Sequence, residues 1–172
     1  MQENMGLQPG VLLPLSAAEV FKRYSDMVYR LAFSRAKSRA DADDILQEVF
    51  VRYIRSAVEF SEEEHRKSWF ILVTLRCSKN YLSSAWMRRT VPLDEVARDM
   101  PSVQEDYCGE VYEAVMQLPT KYRTVVHLFY YEGYTITEIA QLCAMPEATV
   151  KTHLYRARER IRKKLAEIIF AD

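Results

Sequence analysis

Glycine and proline are scarce in this 172-residue chain, at 4 and 6 residues, and cysteine is scarcer still at 3. The first two shortages exclude collagen-like, low-complexity and globally disordered readings. Cys77, Cys108 and Cys143 form an odd set with no C-x-x-C pair and no histidine at zinc-finger spacing. That excludes a disulfide scaffold and a metal site, and it points to a reducing, cytoplasmic setting. No apolar run approaches the roughly 20 residues of a membrane span, and no Lys or Arg precedes Lys22 to make Val11-Leu12-Leu13 a signal sequence. No membrane insertion is therefore expected. The three histidines, His65, His127 and His153, are far apart, and the chain carries neither a glycine-rich phosphate loop nor a nucleophile elbow. An enzyme, a cofactor and a bound metal are all unexpected.

What is present is an ordinary globular composition, 49% hydrophobic and 28% charged, with a formal net charge of zero. That zero conceals a segregation. Residues 16–90 carry 14 basic and 10 acidic side chains, 91–119 carry 1 and 7, and 120–172 carry 9 and 6. Two basic modules flank an acidic connector, and each can present a phosphate-attracting face that the whole-chain sum hides.

The periodicity is helical throughout, with no alternating strand pattern and no internal repeat, so the fold class is all-α: two small helical domains joined by a flexible linker. Ser16-Ala-Ala-Glu19 is a capping box opening a helix to about Lys37, with Val20, Tyr24, Met27, Val28 and Leu31 at helical spacing. Asp41 is the expected N-cap of a second helix, whose stripe of Ile45, Leu46, Val49, Phe50, Tyr53 and Ile54 is expected to face the core. Ser61-Glu-Glu-Glu64 reads as another capping box, opening a third helix to about Ser84 that is apolar nearly all round and therefore central. Periodicity fails between Thr90 and Asp106. The expected layout is an N-terminal extension, poorly ordered, over 1–15, a first domain over 16–89, an acidic linker over 90–106, and a second domain over 107–172.

In the second domain, Val111, Val115 and Leu118 mark one helix, Pro119 starts the next, and Gly133 ends it as a C-cap. Thr135-Ile-Thr-Glu138 is a third capping box, opening a short helix that closes before Pro146. A longer helix begins there, with Val150, Leu154, Ala157, Ile161 and Leu165 facing the core. Short helix, turn and longer helix make a helix-turn-helix at the spacing of DNA readers. Outward lie Glu147, Ala148, Lys151, Thr152, Tyr155, Arg156 and Glu159, offering hydrogen bonds to base edges and an apolar contact for thymine methyls. From Lys151 to Lys164 seven basic residues face one acid, a stripe suited to neutralising phosphates. A basic helix end also complements its own dipole, and the stripe alone does not separate the two roles. His127 reads as a satisfied core residue, and His153 as a neighbour of the reading face.

The stretches Leu118-Pro-Thr-Lys-Tyr-Arg-Thr-Val-Val, Thr135-Ile-Thr-Glu-Ile-Ala and Thr149-Val-Lys-Thr-His-Leu-Tyr-Arg-Ala-Arg resemble region 4 of extracytoplasmic-function sigma factors of the sigma-70 superfamily. Asp41-Ala-Asp-Asp-Ile-Leu-Gln-Glu-Val-Phe-Val-Arg resembles sigma region 2, and the likeness there runs from about Tyr24 to Arg89. The resemblance implies a factor that binds core RNA polymerase and directs promoter-specific transcription initiation. Region 4 would contact the minus-thirty-five element through Glu147, Thr149, Lys151, Thr152, His153, Tyr155, Arg156 and Arg158. Region 2 would grip the clamp of the largest polymerase subunit through Asp44, Gln47, Glu48 and Val51, an exposed strip at i, i+3, i+4 and i+7. Minus-ten contacts would fall to Arg66, Arg76, Lys79, Asn80, Trp86 and Arg88, by cationic backbone contact and stacking. Trp69 and Phe70, in an apolar run, are expected to pack the core instead. The family is often held inactive by an anti-sigma factor wedged between the modules, which the connector permits.

This chain departs from the family pattern at Ala144, where the turn usually has Gly, and at Pro146, where a capping Ser is common. Arg76 and Ser83 also stand where the family commonly has Asn and Arg. Two other classes remain open on the residues alone: a dimeric helix-turn-helix regulator that binds duplex DNA unaided, and a helical adaptor that binds only protein.

Overall fold

A computed structural model describes residues 15–88 and 109–170, all of whose regular elements are helical. Helix α1 spans Ala17–Ala36 and opens on the capping box: the Ser16 hydroxyl accepts from the Glu19 N–H at 3.3 Å, and Glu19 Oε2 accepts from the Ser16 N–H at 2.8 Å. It ends at Lys37, whose left-handed φ of 57° lets its N–H donate to Phe33 O at 2.8 Å. Helix α2 spans Arg39–Ser56. Its N-cap is Ser38, whose hydroxyl accepts from the Asp41 N–H, so Asp41 lies inside the first turn and not at the cap expected for it. Helix α3 spans Glu63–Arg88, four residues past its expected end. Its first helical hydrogen bond, from the Arg66 N–H, goes to Glu62 O, while the Ser61 hydroxyl faces His65 Nδ1 at 3.3 Å. The Ser61 box is therefore out of register with the helix start.

These three helices bundle around Phe70, which is fully buried and lies 4.6 Å from the Tyr24 ring, 5.2 Å from Phe50 and 5.1 Å from Tyr53 between centroids. A side chain buried to this extent contributes about 1.5–3 kcal/mol. Trp69 is half-buried, edge-on to Tyr53 and Phe60, so it packs the core as its apolar context implies. Ile54 does not. It is 67% exposed, because the apolar residues that α2 presents squarely to the bundle are Ala42, Ile45, Val49 and Phe50.

The second unit is built from α4 (Gly109–Met116), α5 (Thr120–Val126), a π-helical turn (His127–Tyr131), α6 (Ile136–Leu142) and α7 (Glu147–Ile169). The sequence reads α5 and the π-turn as one continuous helix; the wider turn shows in the Glu132 N–H donating to His127 O. Gly133, at φ 73°, turns the chain, and the Tyr134 N–H returns to Leu128 O at 3.0 Å. Thr135 and Glu138 form the capping box of α6. Along α7, Val150, Leu154 and Ala157 are buried, with Ile161 and Leu165 half-buried behind them. Pro146 caps α7 without a side-chain hydrogen bond, and a Thr137 hydroxyl bond to Glu147 Oε1 at 2.7 Å ties the two helices instead.

Ala144 sits in the turn at φ 51°. A left-handed conformation costs an L-residue about 1–2 kcal/mol, and the flexibility of Gly gives back roughly 0.5–1 of that. Ala144→Gly should therefore raise stability by about 0.5–1 kcal/mol in a denaturant titration. An unchanged or lower midpoint would show that the turn carries no such strain.

The two units meet where the C-terminal end of α1 packs on α5. Arg123, 2% exposed, donates through Nε to Ser34 O and through Nη2 to Arg35 O at 3.2 Å, closing the end of α1. Lys67 Nζ reaches Glu132 O at 3.1 Å, and the Ser68 hydroxyl lies 3.4 Å from that of Tyr134. His127 is buried against Glu132 at 3.3 Å and stacks on Tyr131. The linker expected over 90–106 lies outside the described residues, as does the N-terminal extension except for Leu15, which is half-buried against the core.

Candidate nucleic-acid interface

Burial of Val150, Leu154 and Ala157 fixes the rotation of α7, and with it which side chains look outward. Lys151, Thr152, Tyr155 and Arg156 are exposed together, Tyr155 at 63%. The Thr152 hydroxyl donates to Ala148 O at 2.8 Å, which leaves its oxygen lone pairs and methyl facing out. Arg156 is hydrogen-bonded to the Tyr122 hydroxyl; that bond, with Lys121 and Arg160 close by, holds the phenol below its usual range.

The remaining residues expected to read DNA lie beside this face. Arg158 Nε donates to the Tyr130 hydroxyl at 2.8 Å, and its guanidinium lies over the Phe129 and Tyr130 rings. His153 is half-buried, edge-on to Tyr122, and burial followed by the Lys121 and Arg156 charges pushes its pKa down, favouring the neutral ring. Thr149 is half-buried, and Glu147 accepts the Thr137 hydroxyl across the turn. The Tyr130 and Tyr122 engagements have no local sequence signal, since both tyrosines lie about thirty residues from their arginine partners.

On α2, Asp44, Gln47, Glu48 and Val51 share one exposed strip. Asp44 Oδ2 accepts the Tyr81 hydroxyl at 2.7 Å, a bond that pushes the phenol up to about 12, and Glu48 pairs with Arg52 at 2.7 Å. The strip continues into Ile54, at 67% exposure, so its apolar end extends beyond Val51. Ile54 carries the periodic signal of a core residue, but it is an apolar residue on α2 that the bundle has no room to cover.

Of the expected minus-ten residues, Arg76, Lys79 and Asn80 lie exposed at i, i+3 and i+4 on α3. Arg66 does not join them. It is 4% exposed, pairs with Glu63 at 3.1 Å and lies over the Phe60 ring, because its place in the first turn of α3 faces the bundle. Trp86 and Arg88 fall in the last turn of α3, and their side chains lie outside the described residues. Among the described residues no cluster of ligating side chains could hold a metal, and no helix is long and apolar enough to cross a membrane.

The fold and its exposed faces define an all-α protein whose second unit is a helix-turn-helix with a basic outer surface. The sigma-70 region 2 model matches residues 20–88, and the sigma-70 region 4 model matches residues 108–161. The RNA polymerase sigma factor SigV of Bacillus subtilis is 33% identical over 141 residues, covering 81% of this chain and 84% of the relative. The ECF RNA polymerase sigma factor SigM of Mycobacterium tuberculosis is 30% identical over 149 residues, covering 86% and 76%. In fold, the chain is similar to the sigma factor RpoE of Bartonella quintana, solved in complex with the anti-sigma factor NepR, at a TM-score of 0.67 and 18% identity over 87% of this chain and 96% of that one. The chain belongs to the extracytoplasmic-function group of the sigma-70 family of RNA polymerase sigma factors.

Proposed function

We propose that this chain binds core RNA polymerase through the α2 strip and directs initiation by contacting promoter DNA at two places, without catalysis of its own and in the cytoplasm. The observation that carries this is the outward face of α7, where Lys151, Thr152 and Tyr155 are exposed together with Arg156, which also bonds the Tyr122 hydroxyl. Lys or Arg on such a face bonds guanine N7 and O6, Thr152 accepts through its outward lone pairs, and the ring of Tyr155 suits a thymine methyl. Arg158 and His153, engaged at the flanks, serve the phosphate backbone or the fold in place of base reading. Arg76, Lys79 and Asn80 form the cationic and polar face offered to the minus-ten strand. An anti-sigma factor is the third partner in this reading, supported by the structurally similar RpoE having been solved in complex with the anti-sigma factor NepR.

Lys151→Ala should weaken promoter binding by the polymerase holoenzyme by about 1–3 kcal/mol and relax preference at one base pair. A competition assay over single-base promoter variants checks this. Uniform weakening over all variants would make Lys151 a phosphate contact instead.

A further inference from the structure

Where α1 meets α5, the surface opens into a cavity of about 360 Å³ lined by Arg35, Lys37 and Arg123 together with Thr120 and Gln117. No acidic residue lines it. Arg123 engages all five of its N–H groups, with the carbonyls of Ser34, Arg35, Met116 and Leu118 and with the Thr120 hydroxyl, so what it offers the cavity is charge. Arg35 is differently placed: Nη1 donates to Thr124 Oγ1 at 2.6 Å, while its buried Nε has no hydrogen-bond partner. Lys37 is half-buried at the left-handed end of α1.

Cations at a helix C-terminus are favourable, which offers a purely structural reason for all three. The C-terminal ends of α1 and α4 together supply only about one negative charge, however, against three full positive ones. The surplus leaves its mark on the groups themselves. Burial, then the Arg35 charge, pushes the Arg123 pKa down to about 10, and burial, then Arg123, depresses that of Lys37. Desolvated like charges without a counterion are costly, and a multivalent anion relieves that cost.

We propose that the junction cavity is a binding site for a phosphate-class oxyanion, either free phosphate or the phosphate groups of a small molecule, held by Arg35 and Lys37 with Arg123 behind them. Guanidinium suits bidentate phosphate contact, and an ammonium adds a point charge. Because Arg35 and Lys37 belong to the first unit and Arg123 and Thr120 to the second, the bound anion ties the two units together. It thereby favours the closed arrangement over one in which the two separate on promoter DNA. Only that last consequence rests on the promoter reading above; anion binding itself does not.

Binding to the full-length chain is measured by calorimetry with pyrophosphate in one arm and ATP in the other, at ionic strength held constant with sodium chloride. The basic face of α7 also attracts phosphates, so the reading is a difference between variants. Saturable binding should weaken at least about tenfold in Lys37→Gln and in Arg35→Gln. It should persist in Lys22→Gln, which removes the same charge from an exposed part of α1. Binding in the pyrophosphate arm identifies a simple oxyanion site, and binding confined to ATP identifies a nucleotide site. Equal affinity in wild type, Lys37→Gln and Arg35→Gln, or no saturable binding in either arm, overturns the proposal. Thermal unfolding of each variant separates loss of the site from loss of the fold.

Discussion

Arg123→Met should lower the stability of this chain by about 3–5 kcal/mol, because it leaves a buried set of acceptors without donors. The carbonyls of Ser34, Arg35, Met116 and Leu118 all accept from this one guanidinium, whose residue is itself 2% exposed. At 2–4 °C per kcal/mol for a protein of this size, the melting temperature should fall by roughly 6–20 °C. Arg35→Met is the contrast. Its guanidinium is desolvated with its Nε unpartnered, and its one hydrogen bond to a side chain of the other unit goes to Thr124, so its loss should cost no more than about 1 kcal/mol. Calorimetric melting of the two variants tests the pair. Similar melting temperatures for both would mean that Arg123 is not what holds the end of α1 on α5.

Glu48→Arg should abolish association with core RNA polymerase while leaving the fold intact. Glu48 is exposed and, among the described residues, pairs with Arg52 on its own helix, an interaction worth no more than about 0.3–0.5 kcal/mol, so melting should barely change. The substitution reverses the central charge of the α2 strip and sets it beside Arg52. A like-charge contact at an interface costs several kcal/mol, enough to reduce binding a thousandfold. Affinity capture of core enzyme by the tagged variant reads this directly. Retained capture at wild-type level would remove the strip from the polymerase interface. Ile54→Ser then asks whether the apolar end of the same strip shares the contact.

Much of this was legible in the sequence because it rests on local chemistry. The Ser16 and Thr135 capping boxes announce themselves within four residues, and the left-handed backbone of Ala144 falls where the family usually has Gly. The core face of α7 follows from its period, so the outward residues follow with it. The expectations that failed depend on which neighbour a helix meets. Asp41 was a plausible cap until Ser38 took the place, since both residue types cap equally well. Ile54 looked like core because periodicity reveals that a residue is apolar without revealing whether a partner covers it. Arg66 looked like a DNA contact because charge marks a surface residue by default, and only the Phe60 ring and Glu63 explain its burial. The closure of α1 by Arg123 joins residues 89 apart in sequence, beyond any local pattern.

Transcription in vitro from a set of promoter fragments, with core RNA polymerase and with or without this chain, tests most directly whether it is a two-contact promoter factor. Discrete start sites should appear only when the chain is present, vanish with Glu48→Arg, and change their upstream base preference with Lys151→Ala. Identical start sites with and without the chain, or tight and sequence-specific duplex binding by the chain in the absence of core enzyme, would contradict it.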